Sequence, residues 1–471
     1  MKYIWEPARF QHFPQVAIAQ QAKLISFKQA QLLMEGHLKS FAGQVSYGKT
    51  VHYASPMEIS IRLCNWLLAW EWGEWDDLND LFSAVIYEHY AFLQQHLEHK
   101  EGLGTNHYLA NLMGLVVAGC YLKGEDVKNR TEWAWQEFEK ELQKQFHTDG
   151  GNFEYSVYYH RLSTEIALLT VGYALRQKLP VQETTWKILR QAMAYLLGLV
   201  KADGTLPQFG DNDSGRIIDL LPEGEEKQGT WQPRPECTQF ILDIQKPETL
   251  YGQFYQSLYG EAYAKLLNIS LPVAGFKTPG VVPDLKYHKE SIFKFTDADL
   301  AAVKRYAWPH TGLYVYKSSD FYLAVNVMSN PRGHRYRGHM HNDKGQIELQ
   351  VHGKDMLRDP GIFSYTASVA LRNRYRSTRA HFVPFAGVEQ NRYLPTSLGL
   401  FHATLEVKTR VLQMEPQGFS CLIEYRGVRH FRKISWQADQ LTVQDYCNKP
   451  FTLQDDKDLK PTVGYGKYKE S

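Results

Sequence analysis

The chain reads as an α+β protein of two domains, a run of helical hairpins followed by an antiparallel β-sandwich. Three observations carry that reading. Apolar residues recur at helical spacing through roughly the first 270 positions, short β-branched and aromatic runs replace them from about Lys277, and a proline-marked stretch separates the two textures. Residues 1–275 are therefore assigned to the helical domain and 285–471 to the β-domain, with Leu271 to Tyr287 (Pro272, Pro279, Pro283) as the linker.

In the helical half, Ser55-Pro56-Met57-Glu58 predicts a helix start: a Ser N-cap, Pro at the first position and Glu closing a capping box. Behind it Ile59, Leu63, Trp66, Leu67 and Trp70 form one apolar stripe. Similar stripes run through Leu109 to Tyr121, Glu165 to Leu175 and Ile188 to Val200. Breaks fall near Gly102-Gly104, Asp149-Asn152 and Asp203-Gly204. Repeated hairpins with no intervening strand fit a helical bundle or an α/α toroid, an incomplete barrel of hairpins, and periodicity alone does not choose.

In the β half, Leu313 to Tyr316, Tyr322 to Val327, Gln346 to Val351, Ser420 to Tyr425 and Gln440 to Gln444 read as strands punctuated by Gly, Asn, Asp and Pro. Ile347, Leu349 and Val351 alternate with Glu348 and Gln350, the signature of a strand with two unlike faces. The tail after Thr462 has no periodicity and is expected to be loose.

With 44% hydrophobic and 22% charged residues, the composition is that of a globular protein. A net charge of +2 offers no global attraction to polyanions, so nucleic-acid binding is not indicated and any anion site must be local. The 11 Trp, 29 Tyr and 23 Phe suit sugar-lined clefts, although most belong to the core. Five widely spaced cysteines form no CxxC pair and no disulfide framework, and Cys64 and Cys120 read as buried thiols. No stretch reaches transmembrane length. The start lacks an apolar signal-peptide core, so the chain reads as cytoplasmic by default, or as periplasmic or secreted if the sequence is trimmed.

The densest chemistry lies in Gly338-His339-Met340-His341-Asn342-Asp343, followed by Arg358-Asp359-Pro360-Gly361 and Ser377-Thr378-Arg379-Ala380-His381. On a strand, His339 and His341 would share one face. A turn at His352-Gly353-Lys354 would return Asp359 to His341. Two histidines, a carboxylate and a third histidine could thus gather around one cation, the donor types a zinc-like ion prefers, and His341, Asp359 and His381 are the expected ligands of a structural divalent metal of the zinc type.

These segments, "GHMHNDKGQIELQVHGKDMLRDPG" and "RSTRAH", resemble the signature of the heparinase II/III-like polysaccharide lyases. The likeness continues upstream, in the family's order, through "TNHYLANLMG", "DGGNFEYSVYYHRL" and "LPQFGDNDSGR". It implies an α/α toroid joined to a β-sandwich, and β-elimination on a uronate-containing acidic polysaccharide. It also implies a proton-transfer role for Tyr159 rather than Tyr158, and carboxylate neutralisation by Asn106 and His107. His339 is implied as base or carboxylate neutraliser, with Tyr365 or Tyr375 as a second phenol. Asn106 reads equally well as a helix N-cap. Phe382 departs from the family's usual Asn after the ligand histidine, and the β-domain is short beside the family pattern.

Two other readings stay open. A glycoside hydrolase on the same toroid would use Asp149, Glu154 or Asp213 as its carboxylates. A non-catalytic glycan-binding protein of surface-polysaccharide assembly would use none of them. In "LPQFGDNDSGR", Asp211 and Asp213 are expected to organise their loop, and Arg216 to form a surface ion pair. The expected partner is an acidic polysaccharide or oligosaccharide, with no nucleic acid and no membrane insertion; the sequence also admits a homo-oligomer.

Overall fold

The computed structural model describes the chain except for residues 1, 100–103, 222–223, 228–229, 234–238, 278–283, 329–337, 394–398, 457 and 469–471. The break at Gly102, the linker prolines Pro279 and Pro283, and Cys237 lie outside the described residues.

The helical half is an α/α toroid. Its inner helices are α1 (His12–Gln21), α3 (Pro56–Gly73), α5 (Asn106–Ala118), α7 (Val157–Arg176) and α9 (Leu250–Tyr259), each packed on the next. Outside them lie α2 (Phe27–Gln44), α4 (Asn79–Gln95), α6 (Glu125–Gln145) and α8 (Glu183–Leu199). Composition sorts the two layers. Every residue of α5 except His107 is buried, and α7 is buried from Val157 to Ala174, whereas α6 buries one stripe and exposes Glu125, Lys128, Lys140 and Lys144. A helix apolar on every side must sit inside, and an amphipathic one closes the outside.

Local details depart from expectation. Helix α3 begins at Pro56 as predicted, but Ser55 makes no cap bond; Glu98 instead accepts from the Met57 N–H at 2.8 Å, while Glu58 is taken by Arg9 at 2.6 and 2.7 Å. The N-cap of α5 is Thr105, and Asn106 is the first helical residue. A short hairpin, Gly224–Lys227 with Thr230–Pro233, interrupts the helical half. Cys64 is buried and Cys120 only partly so; among the described residues every cysteine is a free thiol. No described helix is long and apolar enough to cross a membrane.

The β-domain is a sandwich of two antiparallel sheets. One contains, in spatial order, β1 (Phe276–Lys277), β8 (Val407–Glu415), β9 (Gly418–Tyr425), β10 (Val428–Gln437), β11 (Gln440–Cys447) and β2 (Tyr287–Lys294). The other contains β3 (Lys304–Trp308), β4 (Leu313–Lys317), β5 (Phe321–Asn326), β6 (Ile347–Val351) and β7 (Lys354–Leu357). Tyr316, Leu323, Val325, Ile347 and Leu349 meet Phe419, Ile434, Trp436 and Val443 in the core between them. Both central residues of the β6–β7 turn, His352 and Gly353, have positive φ (49° and 73°), the left-handed pair that a tight hairpin requires.

The five-stranded sheet is buried on both faces. Tyr322 and Ala324 of β5 pack into the toroid core, and Phe321, Leu323 and Val325 into the sandwich core. The Tyr322 hydroxyl donates to the Leu199 carbonyl at 2.9 Å, and Trp308 packs edge-on against Tyr195. The polar residues of β6 therefore face the toroid instead of solvent: Glu348 is fully buried, pairs with Lys201 and accepts from the Gln208 N–H at 2.7 Å. The tail is not loose as far as it is described. Thr462 is buried and donates to the Pro360 carbonyl at 2.9 Å, and Thr462–Gly464 pairs with Lys467–Tyr468.

Candidate active site at the domain interface

The N-terminal ends of α5 and α7, the toroid loop 206–216 and the sandwich loop 338–346 converge at one place. His339 and His341 lie in that loop before β6, not on a strand, so a shared strand face is not what unites them. What unites them is Asp211. Its Oδ2 lies 2.8 Å from Nδ1 of His339 and its Oδ1 lies 3.0 Å from Nε2 of His341. Arg372, on the short helix α10 (Val369–Tyr375), donates to both oxygens at 2.7 and 3.3 Å. Burial alone would raise the Asp211 carboxyl, but Arg372 and the two histidines outweigh it and hold it well below the usual range. The loops touch directly: the Asp211 N–H donates to the His339 carbonyl at 2.9 Å. Gly210 permits this approach, because its φ is +78° and a Cβ there would lie 2.8 Å from that carbonyl oxygen.

His339 also reaches the toroid. Its ring stacks on Tyr159, with centroids 3.4 Å apart and planes 16° apart, and its Nε2 lies 3.3 Å from Oε2 of Glu154. Glu154 in turn accepts from Asn106, from the backbone N–H at 3.0 Å and from Nδ2 at 2.9 and 3.0 Å. His107 projects beside this group, half exposed, with Nδ1 2.9 Å from Oε1 of Glu98. Burial opposes charge on His107, but Glu98 and then Glu154 raise its pKa. Asn106 and His339 thus meet at Glu154, with Tyr159 stacked on His339 and His107 paired to Glu98 alongside.

The neighbouring tyrosines sort themselves. Tyr158 belongs to the toroid core, and its hydroxyl meets Gln208 and the Leu206 carbonyl. His160 is pinned by the Asn152 N–H and the Ala192 carbonyl, and burial lowers its pKa to about 3. The Tyr375 hydroxyl donates to the Lys460 carbonyl at 2.7 Å. Tyr365 packs in one cluster with Tyr159; its buried hydroxyl has no hydrogen-bond partner among the described residues, and burial holds its pKa well above the ordinary value.

The three expected ligands lie just behind. His381 Nδ1 and Asp359 Oδ2 are 2.9 Å apart, and the His341 and His381 ring centroids 5.6 Å apart. His341 Nδ1, His381 Nε2 and Asp343 Oδ2 are buried with no hydrogen-bond partner among the described residues. Buried lone pairs left bare are costly, so the donor chemistry fits a cation. Among the described residues no group of three or more such side chains is already gathered as a metal-holding cluster.

The carboxylates suggested for hydrolysis have other partners. Asp149 accepts from the N–H and hydroxyl of Thr311 at 2.9 and 3.0 Å, stitching the two domains. Asp213 accepts from the Gly215 N–H at 2.9 Å, and Arg216 pairs with Asp219 in a largely buried ion pair, not on the surface. Sequence reasoning missed the hub roles of Asp211 and Glu154, and missed Arg372 altogether. The first two were legible as buried carboxylates inside matched motifs; Arg372 carries no local signal.

Fold and site define a toroid-plus-sandwich protein whose polar centre is assembled from both domains. Models of the heparinase II/III N-terminus and of the heparinase II/III-like C-terminal region match residues 55–221 and 304–450, and the chain belongs to the heparinase II/III-like family. Among solved structures it is similar to a heparinase III gene product (16% identity, TM-score 0.55, covering 92% of this chain and 62% of that one). It is also similar to a heparan sulfate lyase from Pedobacter heparinus (16%, 0.51, 91% and 60%). A further heparinase III gives 14% identity and a TM-score of 0.55, covering 91% of this chain and 60% of that one. The chain thus spans less than two thirds of the length of these structures. No curated protein sequence matches it.

Proposed function

We propose that the chain is a polysaccharide lyase that cleaves a uronate-containing acidic polysaccharide by β-elimination. The stack of Tyr159 on His339, with Glu154 and Asn106 beside it, is the observation that carries this reading. Elimination from a 4-linked uronate needs the C6 carboxylate neutralised, the C5 proton removed and the departing O4 protonated. Tyr159 supplies the phenol for proton transfer. His107 offers a raised-pKa imidazole to the uronate carboxylate, and Asn106 the second hydrogen of an amide whose first lies between the two Glu154 oxygens. Both ring nitrogens of His339 face carboxylate oxygens, which favours the neutralising role over that of base. Tyr365 is preferred to Tyr375 as a second phenol, because the Tyr375 hydroxyl is already committed.

His341, Asp359 and His381 would hold a divalent ion of the zinc type. When bound, it would cross-link the loops before and after β6 and β7 and satisfy bare buried lone pairs. The test is product chemistry over a panel of uronate polysaccharides: elimination gives an unsaturated uronate absorbing in the ultraviolet. A new reducing end without that absorbance would assign hydrolysis instead, and binding without either product would assign a glycan-binding role.

A further inference from the structure

We propose that Glu154 is a positioning residue of this site: it fixes which way the Asn106 amide faces and ties that amide to His339. The inference rests on the lyase reading and adds a residue to it.

Glu154 is fully buried. Its backbone is anchored, its N–H donating to Asn152 Oδ1 at 3.0 Å, and the next residue, Tyr155, holds a left-handed φ of 53°. Its carboxylate sits at the N-terminus of α5, where it accepts the Asn106 backbone N–H. A helix N-terminus is an anion position, and a substrate carboxylate would otherwise be drawn to it. Here the protein's own carboxylate fills that position. The uronate is therefore left to the side chains.

An asparagine amide can turn over with little change of shape, exchanging its donor for its acceptor. Glu154, when ionised, only accepts hydrogen bonds. With Nδ2 within 3.0 Å of both its oxygens, the reverse orientation would set Asn106 Oδ1 against two negative oxygens. The orientation is thereby fixed, and Oδ1 is left buried without a partner among the described residues. The second oxygen of Glu154 faces His339 Nε2 at 3.3 Å, so one carboxylate orients a toroid residue and a sandwich residue together. Three donor contacts from Asn106, with His339 Nε2 close by, leave it ill suited to be the acid or base itself.

The test uses the full chain and the uronate polysaccharide on which it shows elimination. Glu154→Gln places an amide against the Asn106 amide and is expected to lower kcat about 10–10²-fold, with KM changed less than about threefold, as expected for misplacement of a reacting contact. Glu154→Asp keeps the acceptor one methylene shorter and should recover part of that loss. The decisive readout is the cycle with Asn106→Ala. If Glu154 acts through Asn106, adding Glu154→Gln to Asn106→Ala costs little more, whereas independent or merely structural effects multiply. Multiplying losses, wild-type kcat in Glu154→Gln, or equal losses in the Gln and Asp variants would overturn the proposal. Wild-type activity in Asn106→Ala would instead remove Asn106 from the lyase reading, and with it this proposal. A drop in melting temperature shared by the Gln and Asp variants with equal kcat would assign Glu154 to the fold alone.

Discussion

Tyr159→Phe separates chemistry from packing, because the two consequences differ in size. Tyr159 is 6% exposed and its ring lies on His339 at 3.4 Å. Phenylalanine keeps the ring, its volume and the stack, and removes one hydroxyl. A lost hydroxyl hydrogen bond costs about 0.5–1.5 kcal/mol. In domains of this size that shifts the melting temperature by about 2–4 °C per kcal/mol. Loss of proton transfer lowers kcat by about 10²–10⁴-fold, roughly 3–5 kcal/mol of barrier. Ultraviolet product absorbance at saturating substrate, with a melting curve on the same sample, should show a near-native fold and a collapsed kcat. Tyr365→Phe is the matched control. Among the described residues the Tyr365 hydroxyl has no hydrogen-bond partner, and its pKa sits well above the ordinary value, so it stays protonated and is a poor base. If Tyr159 serves both transfers, Tyr365→Phe should cost under about tenfold, below the range for losing acid–base catalysis. Retention of more than about a tenth of kcat by Tyr159→Phe would refute the assignment and pass the role to Tyr365.

Two further outcomes are expected. In the sandwich, Arg432 and His430 hold the buried Asp445 carboxyl at about 2 against an ordinary 3.8, overriding the upward push of burial. A depressed carboxylate stabilises the fold above pH 3.8 and loses that contribution as pH falls towards about 2. About two pKa units amount to roughly 2–3 kcal/mol. Asp445→Asn should therefore be less stable at neutral pH, with the gap to wild type narrowing below pH 4; a gap constant with pH in denaturant titrations would contradict this. Elemental analysis of protein purified without chelator should find a divalent ion that is lost in His381→Ala with a fall in melting temperature. Metal-free wild type, or an unchanged content in the variant, would remove His381 from a metal site.

Much of the fold was legible because one periodicity gives way to another. The stripe from Ile59 to Trp70 and the alternation from Ile347 to Val351 both mark real elements. The same alternation misleads about environment. Glu348 and Gln350 look solvent-facing, yet both are buried against the toroid, where Lys201 and Asp203 receive them. Local sequence cannot show that a polar face meets another domain. Capping failed for a similar reason: Glu58 and Ser55 satisfy the local rule, but Arg9 and Glu98 arrive from elsewhere and outcompete it. At the site the histidines and Tyr159 were visible as motif residues. The partners that orient them, Glu154, Asp211 and Arg372, depend on contacts spanning up to 185 positions, as between Glu154 and His339.

The arrangement explains why the site needs both domains at once. Asp211 belongs to a toroid loop, yet its oxygens are occupied by Arg372, His339 and His341, all from the sandwich. Glu154 belongs to the toroid and faces His339 across the same boundary. A buried carboxylate stripped of its cation leaves an unpaired charge, at a cost of about 3–5 kcal/mol for one broken pair. Separating the domains would expose several such groups together with the apolar face carrying Tyr322, Trp308 and Leu313. The interface is thus held closed by the same contacts that set the geometry of Tyr159, Asn106 and His339.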